Sequence, residues 1–397
     1  MIYIHVPFCH RKCTYCAFYS KPVTHSSVSP VGAATSPNFA PLRSQAVSPS
    51  EPGRGEELDR AKLVFADYVD ALIHEMRERR GEQAHPIKTV YFGGGTPSIL
   101  PLSELGRIVR ALHDNFDLSQ VEEVTLEANP EDLTEDYLHG LKALGFVNRL
   151  SIGIQSLDDE TLRLIGRRHT AQQAVEAVEN AFRAGFHNLS VDFIYGIREK
   201  LDFLDSLDFL DGLDFLERVS HVSAYALTVE AGTALAVQVE QGRVALPDDD
   251  EVVRQYHSLH QQLTAAGFRQ YEVSNYARPG FESRHNSRYW DRTPYLGLGP
   301  GAHSFDGLHR RWNKPDGTFE QETLSEADAY NELLMTALRT TKGLALAQVP
   351  EKYKEKLHRG MQPYLDCGWI VLKDNHYTPT AEGLLHADGI AAALFVE

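Results

Sequence analysis

Six times before residue 230, a short apolar run gives way to a polar loop and then to an amphipathic helix. The runs lie at 2–6, 89–92, 121–126, 149–154, 189–194 and 222–227. Between the first two, Phe65, Tyr68, Val69, Leu72, Ile73 and Met76 recur at helical spacing with charges opposite. Further helices are predicted at 103–115, 135–144, 159–165 and 171–184. Strand, loop and helix in strict alternation imply parallel βαβ units with right-handed crossovers. Polar residues cluster just after each strand, where α/β barrels place their chemistry. Six units rather than eight predict an incomplete barrel. The expected fold class is therefore α/β: a partial (β/α)6 TIM-like barrel with a smaller α+β C-terminal region.

A length of 397 residues exceeds the usual size of one core. We expect a barrel over 1–230, a connecting region over 231–326 and a C-terminal module over 327–397. The last reads helix, helix, short hairpin, helix, which is winged-helix-like. Residues 21–57 are dense in Ser, Pro and Ala, a composition that predicts a disordered surface insertion. Residues 201–216 repeat Leu-Asp-Phe-Leu and are read as a helix with duplicated sequence. A formal net charge of −16 opposes nonspecific binding to nucleic acid or to an anionic membrane surface. No apolar stretch reaches membrane-spanning length, and cysteines are few, so a reducing, cytoplasmic setting is expected.

Directly after the first strand, Cys9, Cys13 and Cys16 form a C-x3-C-x2-C run. Three thiolates this close can hold one soft metal centre. A four-iron cluster held by three cysteines keeps one iron open to a small molecule. Structural zinc is the alternative, although such sites usually close with four ligands, and Cys367 lies far away in sequence. The run Gly93-Gly94-Gly95-Thr96-Pro97-Ser98 ends the second strand, and bare backbone there admits a ligand's amine or carboxylate. Glu127, Gln155 and Asp192 fall at or just past three other strand ends, and Arg167 follows a helix. Carboxylates suit hydroxyls or an ammonium group, and arginine suits a carboxylate. Taken singly, each is equally a surface cap or an ion-pair partner. A second pole is His285-Asn286-Ser287-Arg288-Tyr289-Trp290. Imidazole ligates haem iron and aromatic rings cover a macrocycle. A histidine among aromatics is also an ordinary packed residue. His303, set among glycines, is read as part of a turn.

With these motifs in hand (YIHVPFC, CTYC, GGGTPS, LEANP, RLSIGIQS, RRH, VDFIYG, SAYALT, HNSRYW and YLGLGPGAHS), the chain resembles the radical S-adenosylmethionine family. Within it, the likeness is to the group related to oxygen-independent coproporphyrinogen III oxidase. The resemblance implies a [4Fe-4S] cluster on Cys9, Cys13 and Cys16. It implies S-adenosylmethionine contacts at Tyr3, Gly95, Thr96, Glu127, Gln155, Arg167 and Asp192, with Tyr15 and Ala226 at less distinctive positions. The oxidase branch carries a fourth cysteine where Phe18 stands here. The haem-chaperone branch is marked by H-N-x-x-Y-W, matched in full by His285, Asn286, Tyr289 and Trp290. That branch implies haem binding, with His285 as iron ligand, and transfer to apo-haemoproteins such as respiratory cytochromes. It leaves room for a homodimer and for transient membrane association. Radical decarboxylation of coproporphyrinogen III is the alternative. Where the family usually has a Leu-Pro-Gly turn, Ile197-Arg198-Glu199 follows Tyr195-Gly196.

Overall fold

The computed structural model describes residues 1–23, 54–83, 85–199 and 213–397. Its frame is one nine-stranded open sheet. Six strands follow one another in space as in sequence: β1 (Ile2–Val6), β2 (Thr89–Gly94), β3 (Glu123–Ala128), β4 (Arg149–Gln155), β5 (Leu189–Tyr195) and β6 (His221–Ala226). Each pairs in parallel with the next. Further strands are β7 (Arg269–Gln270), β8 (Asn275–Ala277) and β9 (Leu296–Leu298). β9 pairs in parallel with the free side of β1, while β8 and then β7 extend β6 in antiparallel fashion. The six expected strands are all present. The three added ones come from the connecting region, so the sheet is wider than the sequence indicated.

Alternation along these strands divides apolar from polar. Ile2, Ile4, Val90, Phe92, Val124, Leu126, Leu150, Ile152, Leu189 and Val191 point one way and join the helices in a single core. Leu150, Ile152 and Ile154 are each fully buried, and such side chains contribute roughly 1.5–3 kcal/mol apiece. The intervening residues, among them Thr89, Tyr91, Glu127, Arg149, Ser151 and Asp192, share the opposite, concave face. A slip of one residue would turn that polar set onto the helices, so the register is strongly specified.

The helices follow the predicted pattern closely: Leu102–Asn115, Glu135–Ala143, Asp159–Leu164 and Ala171–Arg183. The last begins in a capping box in which Thr170 and Gln173 satisfy each other's backbone donors. The first helix spans Arg54–Arg79, starting earlier than the 21–57 assignment allowed, and Lys21–Pro22 pairs with Phe8–Cys9. The rest of that assignment lies outside the described residues. So does most of the 201–216 repeat, of which only the start of helix Leu213–Arg218 is described.

A second core gathers Tyr330, Leu334, Leu338, Leu357, Met361, Ile370, Tyr377 and Ile390. It is built from helices Glu326–Ala337 and Glu351–Asp366 and a three-stranded sheet of Leu344–Ala345, His376–Pro379 and Ile370–Lys373. The hairpin turns at Asp374 and Asn375, whose φ of 49° and 60° is the left-handed pair a two-residue turn needs. This module is stitched to the connecting region by Val273 N–H to the Arg339 carbonyl (2.9 Å) and Thr341 N–H to the Tyr271 carbonyl (3.1 Å). Among the described residues no helix is long and apolar enough to cross a membrane.

Candidate functional site

At the C-terminal ends of the strands, the cysteine loop is fastened from two sides. The Gly95 and Thr96 N–H groups donate to the Val6 and Phe8 carbonyls (2.8 and 2.6 Å). A Cβ on Gly95 would stand 2.4 Å from the Phe8 carbonyl oxygen, and one on Gly94 2.6 Å from the His5 ring. The glycines are thus required by contacts within the protein, and the Gly95 and Thr96 donors are already engaged. On the far side, Thr14 N–H donates to the Ile165 carbonyl (3.1 Å) and Leu235 N–H to the Thr14 carbonyl (2.8 Å).

Cys9, Cys13 and Cys16 are free thiols and partly buried. The Thr96 hydroxyl lies 3.4 Å from the Cys9 sulfur, and the Arg167 guanidinium 3.6 Å from that of Cys13. Burial pushes the Cys16 thiol up, and its neighbours Cys13 and Cys9 add to the rise. Among the described residues no three His, Cys, Asp or Glu side chains converge on a point that would hold a single metal ion. Cluster thiolates each take a separate iron and need no such convergence. Three adjacent thiols with a hydroxyl and a guanidinium beside them fit an iron–sulfur cluster.

Arg167 joins this loop to the rest of the mouth. It also donates to Asn129 Oδ1 (2.7 Å) and the Gly153 carbonyl (2.5 Å), and Asn129 Nδ2 reaches the Thr96 hydroxyl (3.3 Å). Arg167 Nε is buried without a partner among the described residues. Gln155 stands at a register shift in β4 with φ of 65°, a conformation rare outside glycine. Such strain collects at sites where the surroundings hold it. Glu127 accepts from the Tyr91 hydroxyl (2.8 Å) and Gly94 N–H (3.2 Å). Burial and the nearby Asp192 raise its pKa to about 7. Asp192, also raised by burial, accepts from the Ser151 hydroxyl (3.3 Å). Tyr15 lies close enough to Arg167, Cys13, Cys16 and Asp192 to feel their charges. Tyr3 stacks on Tyr91 (6.1 Å) and bonds His5 Nδ1 (3.2 Å). Ala226 is exposed at the end of β6, next to Tyr225, an unusually exposed tyrosine at 41 %. One concave mouth therefore unites the cysteines with Arg167, Glu127, Gln155 and Asp192. Asn129 and Tyr91 bind this set together and went unremarked in the sequence, although Asn129 also follows a strand end.

The second pole lies elsewhere. Helix Arg284–Trp290 is capped by Ser283, whose hydroxyl accepts from Asn286 N–H (3.2 Å). Its first two N–H groups, from Arg284 and His285, donate to the Glu123 carboxylate (both 2.9 Å). Glu123 and Thr89 open their strands, so this helix closes the floor of the sheet. About five residues of strand, roughly 16 Å, separate Thr89 from the Gly94 end. His285 is fully buried there (0 % exposed), with Nδ1 2.8 Å from the Thr89 hydroxyl and Nε2 3.0 Å from the Tyr289 hydroxyl. Burial, the chain's amino terminus and Arg149 lower its pKa to about 3, which keeps the ring neutral. Neither ring nitrogen is open to an outside iron in this geometry. Asn286 and Trp290 are half-buried, and the Arg339 guanidinium sits 5.8 Å over the Trp290 ring. His303 begins a strand, His303–Phe305, in a small antiparallel sheet rather than lying in a turn.

Comparison with known proteins now decides the family. Residues 3–210 match the radical SAM superfamily, and residues 324–386 match the HemN C-terminal domain. The chain is 33% identical to the heme chaperone HemW of Mycobacterium tuberculosis, over 99% of this chain and 94% of that one. This chain belongs to the radical SAM superfamily, in its HemW-like group. A HemW-like relative from Lactococcus lactis is 31% identical over 90% of this chain and 86% of its own. The mitochondrial radical S-adenosyl methionine domain-containing protein 1 of Bos taurus is 34% identical over 86% and 74%. The solved structure of coproporphyrinogen III oxidase (HemN) from Escherichia coli superposes with a TM-score of 0.75 at 20% identity, over 100% of this chain and 89% of that one. That likeness establishes the radical SAM fold shared with HemN.

Proposed function

We propose that this chain is a haem chaperone that binds haem and passes it to apo-haemoproteins, respiratory cytochromes among them, in a cytoplasmic setting. Cys9, Cys13 and Cys16 hold a [4Fe-4S] cluster, and Tyr3, Tyr15, Gly95, Thr96, Glu127, Gln155, Arg167, Asp192 and Ala226 line the seat of S-adenosylmethionine. When bound, the cluster supplies an electron and an iron corner for that cofactor's amine and carboxylate. The residues then have separate tasks. Arg167 donates toward the Cys13 sulfur and bridges it to Asn129. Glu127 and Asp192 present carboxylates from the strands on either side of β4, and Tyr91 fixes the orientation of Glu127.

The observation that carries this reading over a decarboxylating enzyme is the separation of the two poles. A porphyrinogen undergoing radical chemistry must touch the cofactor at the barrel mouth. The HNSRYW helix lies at the floor, against Thr89 and Glu123. Phe18, 70 % exposed, occupies the position of the oxidase's fourth cysteine. The test is anaerobic reconstitution followed by a hemin titration, with a coproporphyrinogen III assay on the same sample. Iron–sulfur absorption, stoichiometric hemin binding and no decarboxylation are expected. Sustained turnover to protoporphyrinogen IX would replace this reading with the enzymatic one.

A further inference from the structure

Arg149 opens β4 on the concave face and is almost closed off from solvent (1 % exposed). Its Nε and Nη1 have no hydrogen-bond partner among the described residues. A buried guanidinium in that state is costly unless opposite charge stands near it. The strand register locates that charge. Arg149 pairs with Thr125, so Glu127 stands two residues further up β3, and Asp192, level with Gly153, stands on β5 four residues further up. At about 3.3 Å per residue, the two carboxylates lie roughly 7 and 13 Å along the strands from Arg149, one on each side. Their hydrogen bonds go to Tyr91, Gly94 and Ser151. Burial raises both carboxyls, and the Arg149 charge opposes that rise in each.

We propose that Arg149 is a positioning residue for S-adenosylmethionine, a buried cation beneath the seat that favours Glu127 and Asp192 as anions and hence as acceptors for the cofactor's hydroxyl and ammonium donors. This rests on the cofactor seat assigned above and adds to it a residue that acts only through those two carboxylates. Arg167 bears on Asp192 as well. The tyrosines around the pair stay neutral. Tyr3, Tyr91, Tyr225 and Tyr289 feel the charge of Glu127, and Tyr15, Tyr91 and Tyr225 that of Asp192, and burial raises every one of them. His221 and His285, which feel Arg149, are lowered by burial and stay neutral too. Glu272 reaches this set through Tyr225, and burial raises it to about 7. Taking away Arg149 removes the one cation that bears on both Glu127 and Asp192, so protons return to them at a higher pH.

The test titrates the full, anaerobically reconstituted chain with S-adenosylmethionine between pH ~6 and pH ~9, reading the Kd at each pH. Arg149→Met keeps the bulk of the side chain without its charge. Its Kd is expected to exceed that of wild type by about five-fold or more near pH ~7 and to converge to within about two-fold near pH ~9. Any titration of the cofactor itself is common to both proteins and cancels in the comparison. Arg149→Lys, which retains the charge, is expected to follow the wild-type profile. Melting temperature and iron–sulfur absorption of each variant should match wild type, because exchanging an unpaired buried charge for an apolar side chain does not weaken a fold. If Arg149→Met loses its cluster or melts far below wild type, Arg149 serves the fold and the proposal is overturned. It is equally overturned, with the cofactor seat left standing, if Arg149→Met shifts the Kd by the same factor at every pH, leaves it unchanged, or behaves like Arg149→Lys. If wild type itself binds no S-adenosylmethionine, the seat falls as well.

Discussion

Glu127 sits where burial and Asp192 favour its protonated form, so its pKa of about 7 exceeds the ordinary 4.5. A carboxyl with a raised folded value stabilises the fold fully below about 4.5 and loses that contribution as pH climbs through about 7. Glu127→Gln keeps the shape without the charge. The cofactor-free variant should therefore melt higher than wild type near pH ~8, by the equivalent of about 1–3 kcal/mol once partial exposure is allowed for. The gain should shrink as pH falls toward ~5.5. Thermal melts across that range check it, and a gain independent of pH would contradict it. His285 carries a different load. His285→Ala removes a ring packed 4.9 Å from Tyr91 and strands the Thr89 and Tyr289 hydroxyls inside the floor. Such a change costs about 2–4 kcal/mol. Denaturant unfolding should report that loss, so any fall in hemin binding by this variant must be read beside its stability.

One level up, the glycine run and the cysteine loop act as a single element. Gly95 lies under the Phe8 carbonyl, two backbones that cannot yield to a side chain. Gly95→Ala should displace Cys9, reduce iron bound per chain after anaerobic reconstitution and destabilise the fold by about 1–3 kcal/mol. Gly81→Ala meets nothing within 4 Å and serves as the control, with iron content equal to wild type. Equal iron in Gly95→Ala would mean that the loop tolerates a shift at Phe8. The motif helix has the same economy of placement. His285 and Tyr289, four residues apart, share its inner face, while Trp290 turns outward.

Across the whole molecule, a sheet five residues deep holds the cluster mouth and the HNSRYW helix apart. Tyr91 touches both, bonding Glu127 and packing on His285, but it does not bond the cysteine loop, and distant sites without shared partners act independently to about 0.5 kcal/mol. A Cys9→Ser, Cys13→Ser, Cys16→Ser variant should then lose its iron–sulfur absorption yet keep a hemin Kd within about two-fold of wild type. Joint loss of both cofactors in that variant would mean that the poles are coupled through the barrel.

The strand–loop–helix rhythm, read against the period-two alternation of apolar residues, carried the six parallel strands and the cysteine loop into view, because both are local patterns. The mouth residues were legible for the same reason: Glu127 and Gln155 fall near strand ends, while Asp192, expected at an end, lies mid-strand on the same face. Other features depend on long-range pairing and have no local signature. The union of β9 with β1, the Arg167 bridge to Asn129 and Cys13, and the seat of Glu123 under a helix 161 residues away arise only when the chain closes on itself. The motif at 285–290 shows the division most clearly. Its sequence marked a histidine beside aromatics, while burial and two hydrogen bonds decided that this imidazole faces the barrel floor.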